Sequence, residues 1–141
     1  MEKKDNLLRF LEAQKGVYEQ ALAEIKRGRK TSHWMWFIFP QLQGLGYSET
    51  ARFFAIKNKE EAAHYLKHPV LGNRLIEISN ALLSLSTKNA VEIFGSVDSL
   101  KLNSSMTLFS LIENTDPVFQ QVIDQFFDGK KDVKTIKLVT H

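Results

Sequence analysis

Apolar residues recur at three- and four-residue steps along most of this chain, and that spacing constrains its fold more than any other feature. Near the N-terminus one such set shares a helical face: Leu7, Leu11, Tyr18, Leu22 and Ile25. A second seam between Leu71 and Leu85 has the same spacing, which is typical of an amphipathic helix. No alternating run flanked by turn residues indicates a strand. The sequence therefore predicts an all-α protein.

Capping residues, glycines and prolines divide this pattern into about seven or eight helices. The predicted boundaries are a first helix from Asn6 to Arg27 capped by Asp5 or Asn6, helices begun by Ser48, Asn58 and Pro69, a short helix capped by Thr87 or Asn89 and ended by Gly95, a helix capped by Asp98, one begun by Asp116-Pro117, and a last helix from Asp132 to Val139. The segment from Trp34 to Phe39 fits either one helical turn or a buried extended stretch. Residues 41–47 are predicted to form a loop.

The chain has 141 residues, of which 43% are hydrophobic, and this suffices for one core. We expect a single domain over residues 1–141, folded as an orthogonal or irregular helical bundle. On the first helix, Glu12, Gln14, Glu19 and Glu24 are expected at the outer face. The net charge of +3 is too small to indicate nucleic-acid binding. No stretch approaches the roughly 20 apolar residues of a membrane span, so we expect a cytoplasmic protein without a membrane partner.

Several kinds of chemistry are excluded by the composition and motifs. The sequence contains no cysteine, so it has no disulfide, thiol nucleophile or zinc-thiolate site. It has no glycine-rich phosphate loop, nucleophile elbow or dinucleotide fingerprint. His64 and His68 have the spacing of two metal ligands, but no carboxylate signature accompanies them and Pro69 disturbs helical geometry there. We therefore expect neither a metal nor a cofactor.

The most aromatic stretch of the chain, residues 29–41, also carries polar residues. His33 follows Lys30 and precedes Trp36, and Gln41 ends the stretch. A histidine beside cations could act as a general acid or base on an anionic ligand, while an indole stacks on a base. In the structural alternative, the tryptophans are core residues and His33 satisfies a buried carbonyl. We take His33 as a catalytic candidate and Lys30, Trp36 and Gln41 as ligand-binding candidates.

A second polar cluster lies between positions 98 and 105. On a helix that begins near Asp98, Lys101 shares a face with Ser104 and Ser105, so that an ammonium group would lie near two hydroxyls. Backbone N–H groups at the helix start would add to an anion site. In the structural alternative, Asp98 caps the helix and the serines permit close packing. Lys101 is the second catalytic candidate, and Asp98, Ser104 and Ser105 are ligand-binding candidates.

Four segments together resemble one family. They are Ser-His-Trp-Met-Trp-Phe-Ile-Phe-Pro-Gln (32–41), His-Pro-Val-Leu-Gly-Asn-Arg-Leu (68–75), Ile-Phe-Gly (93–95) and Asp-Ser-Leu-Lys-Leu-Asn-Ser-Ser-Met-Thr-Leu-Phe (98–109). By these segments the chain is identified as a member of the domain-of-unknown-function family 1810, whose members are often labelled calpastatin. The resemblance implies a small, mostly helical, bacterial-type protein without an established activity. The calpastatin label does not fit, because calpastatin is a disordered inhibitor and this chain has 11% aromatic residues.

A fainter similarity relates the chain to the NAD- and ADP-ribose-associated domain family. It depends on Phe10, Ala13 and Lys15 together with the tryptophan-rich stretch. That family implies small helical proteins linked to cleavage of N-glycosidic bonds in ribosylated compounds. The glutamates that such an enzyme would use have no matching positions in this sequence.

Two functions remain open at this point. In the first, a nucleotide-like or other anionic small molecule occupies a pocket, with possible hydrolysis of an N-glycosidic bond, and the lining residues are His33, Trp36, Gln41, Lys101 and Ser105. In the second, the protein is a non-enzymatic module that binds protein or nucleic acid through an exposed aromatic or basic face. The first requires His33 and Lys101, 68 positions apart, to border one cavity. The sequence does not indicate an oligomeric state.

Overall fold

The computed structural model describes residues 6–140, in which the regular structure is helical apart from one isolated bridge between Leu42 and Ile56. The helices of this part of the chain are α1 (Leu8–Gln14), α2 (Tyr18–Lys26), α3 (Met35–Ile38), α4 (Glu49–Phe54), α5 (Lys59–Lys67), α6 (Leu71–Leu83), α7 (Ala90–Ser110), α8 (Val118–Phe127) and α9 (Val133–Val139). The all-α prediction is confirmed. None of these described helices is both long and apolar enough to cross a membrane.

One hydrophobic core takes side chains from α1 to α8, and Val139 of α9 packs against it. A row of aromatic rings runs through this core in the order Phe10, Tyr65, Phe109 and Phe119, with successive ring centroids 5.1, 5.5 and 5.7 Å apart. Tilted and edge-on ring pairs at such distances stabilise a core beyond the burial of their surface. The row therefore fixes α1, α5, α7 and α8 relative to one another.

The predicted first helix is two helices, because the chain turns at Gly16. This glycine has a φ of +75°, a left-handed conformation that side chains rarely adopt. The prediction of one helix from Asn6 to Arg27 is therefore wrong, and residues 6–140 contain nine helices. No side chain caps α1 at Leu7, and Asp5 lies outside the described residues.

The prediction that Gln14 and Glu24 lie at the outer face of the first helix is also wrong, because both side chains are buried. The Nε2 of Gln14 donates to the carbonyl of Phe37 at 2.8 Å and to the hydroxyl of Tyr65 at 3.0 Å. Its Oε1 accepts a hydrogen bond from Arg74 at 3.1 Å. A buried amide needs such partners, and these tie α1 to α3, α5 and α6.

Most predicted helix starts are confirmed by their capping hydrogen bonds. Ser48, Asn58, Asn89 and Asp132 each accept a hydrogen bond from a backbone N–H in the first turn of α4, α5, α7 and α9. These bonds satisfy donors that have no partner within the helix. The Trp34 to Phe39 segment contains the single-turn helix α3, which is one of its two predicted forms.

The junction between α5 and α6 is tight. α6 begins at Leu71, two residues after Pro69, and the Nδ1 of His68 accepts hydrogen bonds from the two backbone N–H groups that follow the proline, at 3.1 and 3.3 Å. Gly72 then lies against the end of α5, where an added Cβ would be 1.9 Å from the carbonyl oxygen of Leu66. The backbones of the two helices therefore meet at a position where only glycine fits.

Gly95 kinks α7 where two separate helices were predicted. Its φ of 83° and ψ of 168° are not helical, but the helix resumes before Asp98. The prediction that Asp98 caps the second part is therefore wrong. Asp98 lies within the helix, and its carboxylate binds two lysine side chains instead.

Candidate anion-binding site

The structure brings His33 and Lys101 to the border of one small pocket, of about 140 Å³. We term it the aromatic pocket, and its lining residues are Lys30, His33, Trp34, Met35, Trp36, Phe37, Thr50, Asp98 and Lys101. They come from the loop before α3, from α3, from the start of α4 and from α7 beyond its kink. The convergence that a ligand site would require is therefore present.

Two lysines of the aromatic pocket share one carboxylate. The Nζ of Lys30 lies 2.9 Å from Oδ2 of Asp98, and the Nζ of Lys101 lies 3.0 Å from Oδ1. Lys30 also donates to the carbonyl of Ser32 at 2.6 Å, and only 9% of its side chain is exposed, against 23% for Lys101. Because an ammonium group has three N–H donors, Lys101 retains more capacity for a ligand than Lys30 does.

Each of these ammonium groups also lies over an indole ring. The Nζ of Lys30 is 5.0 Å from the ring centroid of Trp34, and the Nζ of Lys101 is 4.4 Å from that of Trp36, both within cation–π range. Trp34 is only 1% exposed and belongs to the core. Trp36 is half-buried, so of the two indoles it is the one available to a ligand.

The charge of Asp98 sets the electrostatics of the aromatic pocket. Burial would raise the pKa of its carboxyl, but hydrogen bonds from Lys30 and Lys101, together with their charges, hold that pKa below its ordinary value. Asp98 is therefore ionised at neutral pH, and two lysine charges face one carboxylate. A strongly acidic carboxyl is a weak general base, whereas the excess positive charge favours an anionic ligand.

Glu24 of α2 fixes the loop that carries Lys30 and His33. Its carboxylate is 0% exposed. It accepts hydrogen bonds from the backbone N–H groups of Thr31 and Ser32 at 2.7 and 3.0 Å, the indole of Trp34 at 2.9 Å, the Ser32 hydroxyl at 2.6 Å and the Gln20 amide at 3.1 Å. On its other side the loop is held by the backbone N–H of Lys30, which donates to the carbonyl of Ile93 at 2.7 Å. The loop is therefore anchored to both α2 and α7.

This arrangement makes the stability of the protein depend on pH through Glu24. Burial would raise the pKa of the Glu24 carboxyl, but the hydrogen bonds from Ser32, Thr31, Trp34 and Gln20 outweigh burial and hold that pKa well below its ordinary value of 4.5. The unfolded chain therefore binds a proton at a higher pH than the folded one does. The stabilisation is complete above about pH 4.5 and is lost as the pH falls below it.

We expect the wild type to lose about 1 kcal/mol more in free energy of unfolding between about pH 6 and pH 3.5 than Glu24→Gln does. The side-chain amide that this substitution introduces does not titrate, so the variant lacks the contribution of Glu24 to the slope of unfolding free energy against pH. Urea unfolding at the two pH values measures the difference. Equal slopes for the two proteins would contradict the low pKa of Glu24.

Comparison with known proteins relates this fold to a family. A family model described as "Protein of unknown function (DUF1810)" matches residues 4–139. The chain belongs to this family. The DUF1810 chain is similar to the conserved hypothetical protein Rv1873 from Mycobacterium tuberculosis, whose crystal structure was determined at 1.38 Å. The two sequences are 41% identical, the TM-score is 0.93, and 96% of each chain is covered. No curated protein matches significantly. The main family resemblance is thus confirmed, and the similarity to the NAD- and ADP-ribose-associated family is not.

Five of the predicted site residues of the DUF1810 chain line the aromatic pocket, namely Lys30, His33, Trp36, Asp98 and Lys101. His33 is exposed at its edge. These residues come from two stretches that the sequence separates widely, and α7 packs so that the second stretch faces the first. The pocket thus combines cations, an indole face and an imidazole.

The other three predicted site residues, Gln41, Ser104 and Ser105, are buried outside the pocket lining. The hydroxyl of Ser104 donates to the carboxylate of Asp132 at 3.1 Å, and so joins α7 to α9. Ser105 shares a helical face with Lys101, as predicted, but it lies one turn further along, where α7 enters the core. Among residues 6–140, neither Nε2 of Gln41 nor Oγ of Ser105 has a hydrogen-bond partner.

Five residues that matter to this site were not among the predicted site residues. Trp34, Met35, Phe37 and Thr50 line the aromatic pocket, and Glu24 positions its loop. The sequence does carry a signal for Glu24, because it lies three residues after Ala21 and next to Ile25, on the edge of the buried stripe of α2. A charged residue at such a place indicates a buried partner. For Thr50, we find no signal in the sequence.

Proposed function

We propose that this DUF1810 protein binds a small anionic molecule in the aromatic pocket, with the negative group of the ligand in contact with Lys101. The observation that supports this most is the sharing of Asp98 by two lysines, since the cluster keeps an excess positive charge where water has limited access. Charge-assisted hydrogen bonds to an anion are among the strongest polar contacts in proteins. Lys30 contributes charge, and Lys101 supplies the donors.

The size of the pocket indicates which part of the ligand enters it. A volume of about 140 Å³ is below the roughly 300–1,000 Å³ of pockets that enclose whole drug-sized molecules. It suits a phosphate or carboxylate group. The rest of a nucleotide-like ligand would then lie at the mouth, where Trp36 offers a ring face for stacking and the exposed His33 can donate a hydrogen bond.

The geometry supports binding better than hydrolysis of an N-glycosidic bond. Most glycoside hydrolases use two carboxyl groups that flank the scissile bond. The lining of the aromatic pocket contains one carboxylate, Asp98, which is already engaged by Lys30 and Lys101. We therefore propose a binding function and assign no bond cleavage to His33 or Lys101.

Isothermal titration calorimetry with inorganic phosphate, AMP and ADP-ribose tests the proposal. We expect at least one of these anions to bind, and Lys101→Met to weaken its affinity about tenfold or more, because a hydrogen bond to a charged group contributes roughly 1.5–3 kcal/mol. Methionine keeps the apolar part of the lysine side chain. Lys88→Met is the control, since Lys88 is exposed and outside the pocket.

A second variant distinguishes anion binding from a purely structural role for the lysines. Asp98→Asn removes the carboxylate that competes with the ligand, so the affinity for the same anion should rise even though two ion pairs are lost. If the lysines serve only to hold α7 against the loop, this variant would lower stability without raising affinity. The proposal would be abandoned if no anion bound at millimolar concentration or if Lys101→Met bound as tightly as the wild type.

The alternative function, a non-enzymatic interaction module, has less support from the geometry. Its aromatic version requires both tryptophans in one exposed patch, but Trp34 is 1% exposed and its indole is bonded to Glu24. Its nucleic-acid version uses Lys26, Arg27, Arg29 and Lys30, but the side chain of Lys30 turns inward to Asp98. The basic cluster that would contact phosphates is therefore reduced to Lys26, Arg27 and Arg29.

A further inference from the structure

A second and larger groove lies away from the aromatic pocket and shares no residue with it. It has a volume of about 650 Å³ and is formed by α5, by Ile76 of α6 and by the segment from Ile112 to Asp116 that joins α7 to α8. We term it the α5 groove. Its volume falls within the roughly 300–1,000 Å³ range of small-molecule sites, so it is large enough for an aromatic or short aliphatic molecule.

The floor of the α5 groove is apolar. Ala63, Leu66 and Ile76 are half-buried and Ile112 is buried. Residues 59, 63, 66 and 67 share one face of α5, and that face extends about 12 Å between its two end lysines at the helical rise of 1.5 Å per residue. A ligand would therefore need an apolar body to displace water from this floor.

The two sides of the groove carry different charges. α5 contributes Lys59 and Lys67, at its first and last positions, together with Glu60. The segment that joins α7 to α8 contributes Glu113, Asn114 and Asp116, and no cation. In a chain with a net charge of +3, the lining of this groove thus has three carboxylates against two ammonium groups.

Residues 113–116, which we term the acidic wall, are held in a defined shape. Asn114 has a φ of 59°, in the left-handed region, and the hydroxyl of Thr115 donates to the carbonyl of Phe109 at 2.7 Å. The Oδ1 of Asp116 accepts a hydrogen bond from the backbone N–H of Val118 at 2.8 Å. These bonds hold the carboxylate of Asp116 in place, so Asp116 needs little reordering when a ligand arrives.

We propose that the α5 groove binds a small amphiphile, with its apolar body on the floor and a cationic group, such as an ammonium, against the wall formed by residues 113–116. An anionic group would meet that wall with like charge. The ligand class is therefore opposite in charge to the one proposed for the aromatic pocket, and the two sites can be tested separately on the same protein.

NMR titration of the ¹⁵N-labelled full chain with three matched probes tests this inference. The probes are 2-phenylethylammonium, the neutral 2-phenylethanol and the anionic 3-phenylpropionate. We expect the cation to shift amide signals of residues 59–67 and 112–116, with an affinity about two- to fivefold above that of the alcohol, as expected for a partly exposed charge pair. Binding of the anion is expected to be weaker still in this groove. Shifts near Lys101 would belong to the other site.

Two variants identify the groove as the site. Ala63→Trp should fill the floor and abolish the shifts, whereas Ala23→Trp, at an exposed position of α2, should leave them unchanged. Glu113→Gln, at an exposed position of the wall, should lower the affinity for 2-phenylethylammonium and leave the affinity for the other two probes unchanged. It should not affect folding. The inference is overturned if none of the probes shifts the groove signals, if the alcohol or the carboxylate binds as tightly as the ammonium, or if Glu113→Gln changes nothing.

Discussion

Replacing Glu24 with alanine is expected to lower the free energy of unfolding by about 3–5 kcal/mol, because one buried and two part-buried donors lose their acceptor, and each buried donor left without a partner costs roughly 1–3 kcal/mol. The carboxylate accepts from the backbone N–H groups of Thr31 and Ser32 and from the buried indole of Trp34. Alanine offers no acceptor to any of them. Urea unfolding at neutral pH, monitored by circular dichroism, measures the loss.

The matched control is Glu19→Ala, which removes a glutamate from an exposed position of the same helix. Exposed substitutions of this kind usually change stability by about 0.5 kcal/mol or less. Glu24→Gln should fall between the two, since its remaining carbonyl oxygen can still accept from the same donors. A loss below about 1 kcal/mol in Glu24→Ala would mean that water replaces the carboxylate in the folded protein, and that Glu24 does not anchor the loop.

Replacing Gly72 with alanine is expected to cost about 3 kcal/mol or more, in the upper range for overpacked positions. Helix propensity alone predicts the opposite sign, because alanine is favoured over glycine by about 1 kcal/mol inside a helix. Here the added methyl group would meet the carbonyl oxygen of Leu66 at 1.9 Å. Since that atom belongs to the backbone, α5 and α6 would have to move apart. The change in thermal unfolding midpoint and in urea-induced unfolding measures the cost.

Gly16→Ala provides the comparison for this variant. Gly16 has nothing within 4 Å of an added Cβ, and its φ is +75°, so the substitution strains only the backbone torsion, at a cost of roughly 1–2 kcal/mol. We therefore expect Gly72→Ala to be the less stable of the two. The opposite order would show that the junction of α5 and α6 yields more easily than its geometry indicates.

The helical architecture was predictable because local signals determine most of it. Apolar spacing identified the longer helices, and Ser48, Asn58, Asn89 and Asp132 marked helix starts that the structure has. The turn at Gly16 was not predicted, since a lone glycine within an apolar pattern is compatible with both a continuous helix and a turn. The choice between these depends on packing against α3, α5 and α6 through Gln14, which no local window contains.

The candidate site was predictable in its parts and not in its assembly. The sequence indicates Lys30, His33 and Trp36 as site residues because polar residues interrupt an aromatic run there. It indicates Lys101 because this lysine lies on a helix with other polar residues. Whether the two stretches meet depends on how the kink at Gly95 directs α7. The helical spacing that related Lys101 to Ser105 could not indicate that the next turn lies in the core. Ser104 and Ser105 were therefore predicted as site residues, although they lie outside the pocket lining.

The double anchoring of the loop before α3 has a consequence for recognition. For the anionic ligand that we propose, the backbone at Lys30 and His33 is already in position, because Glu24 holds the loop from one side and Ile93 from the other. Little conformational entropy is then lost on binding. Affinity at this pocket should therefore depend on a glutamate that no ligand touches, and an isolated peptide with the tryptophan-rich stretch would lack both the shape and the charge balance that recognition needs.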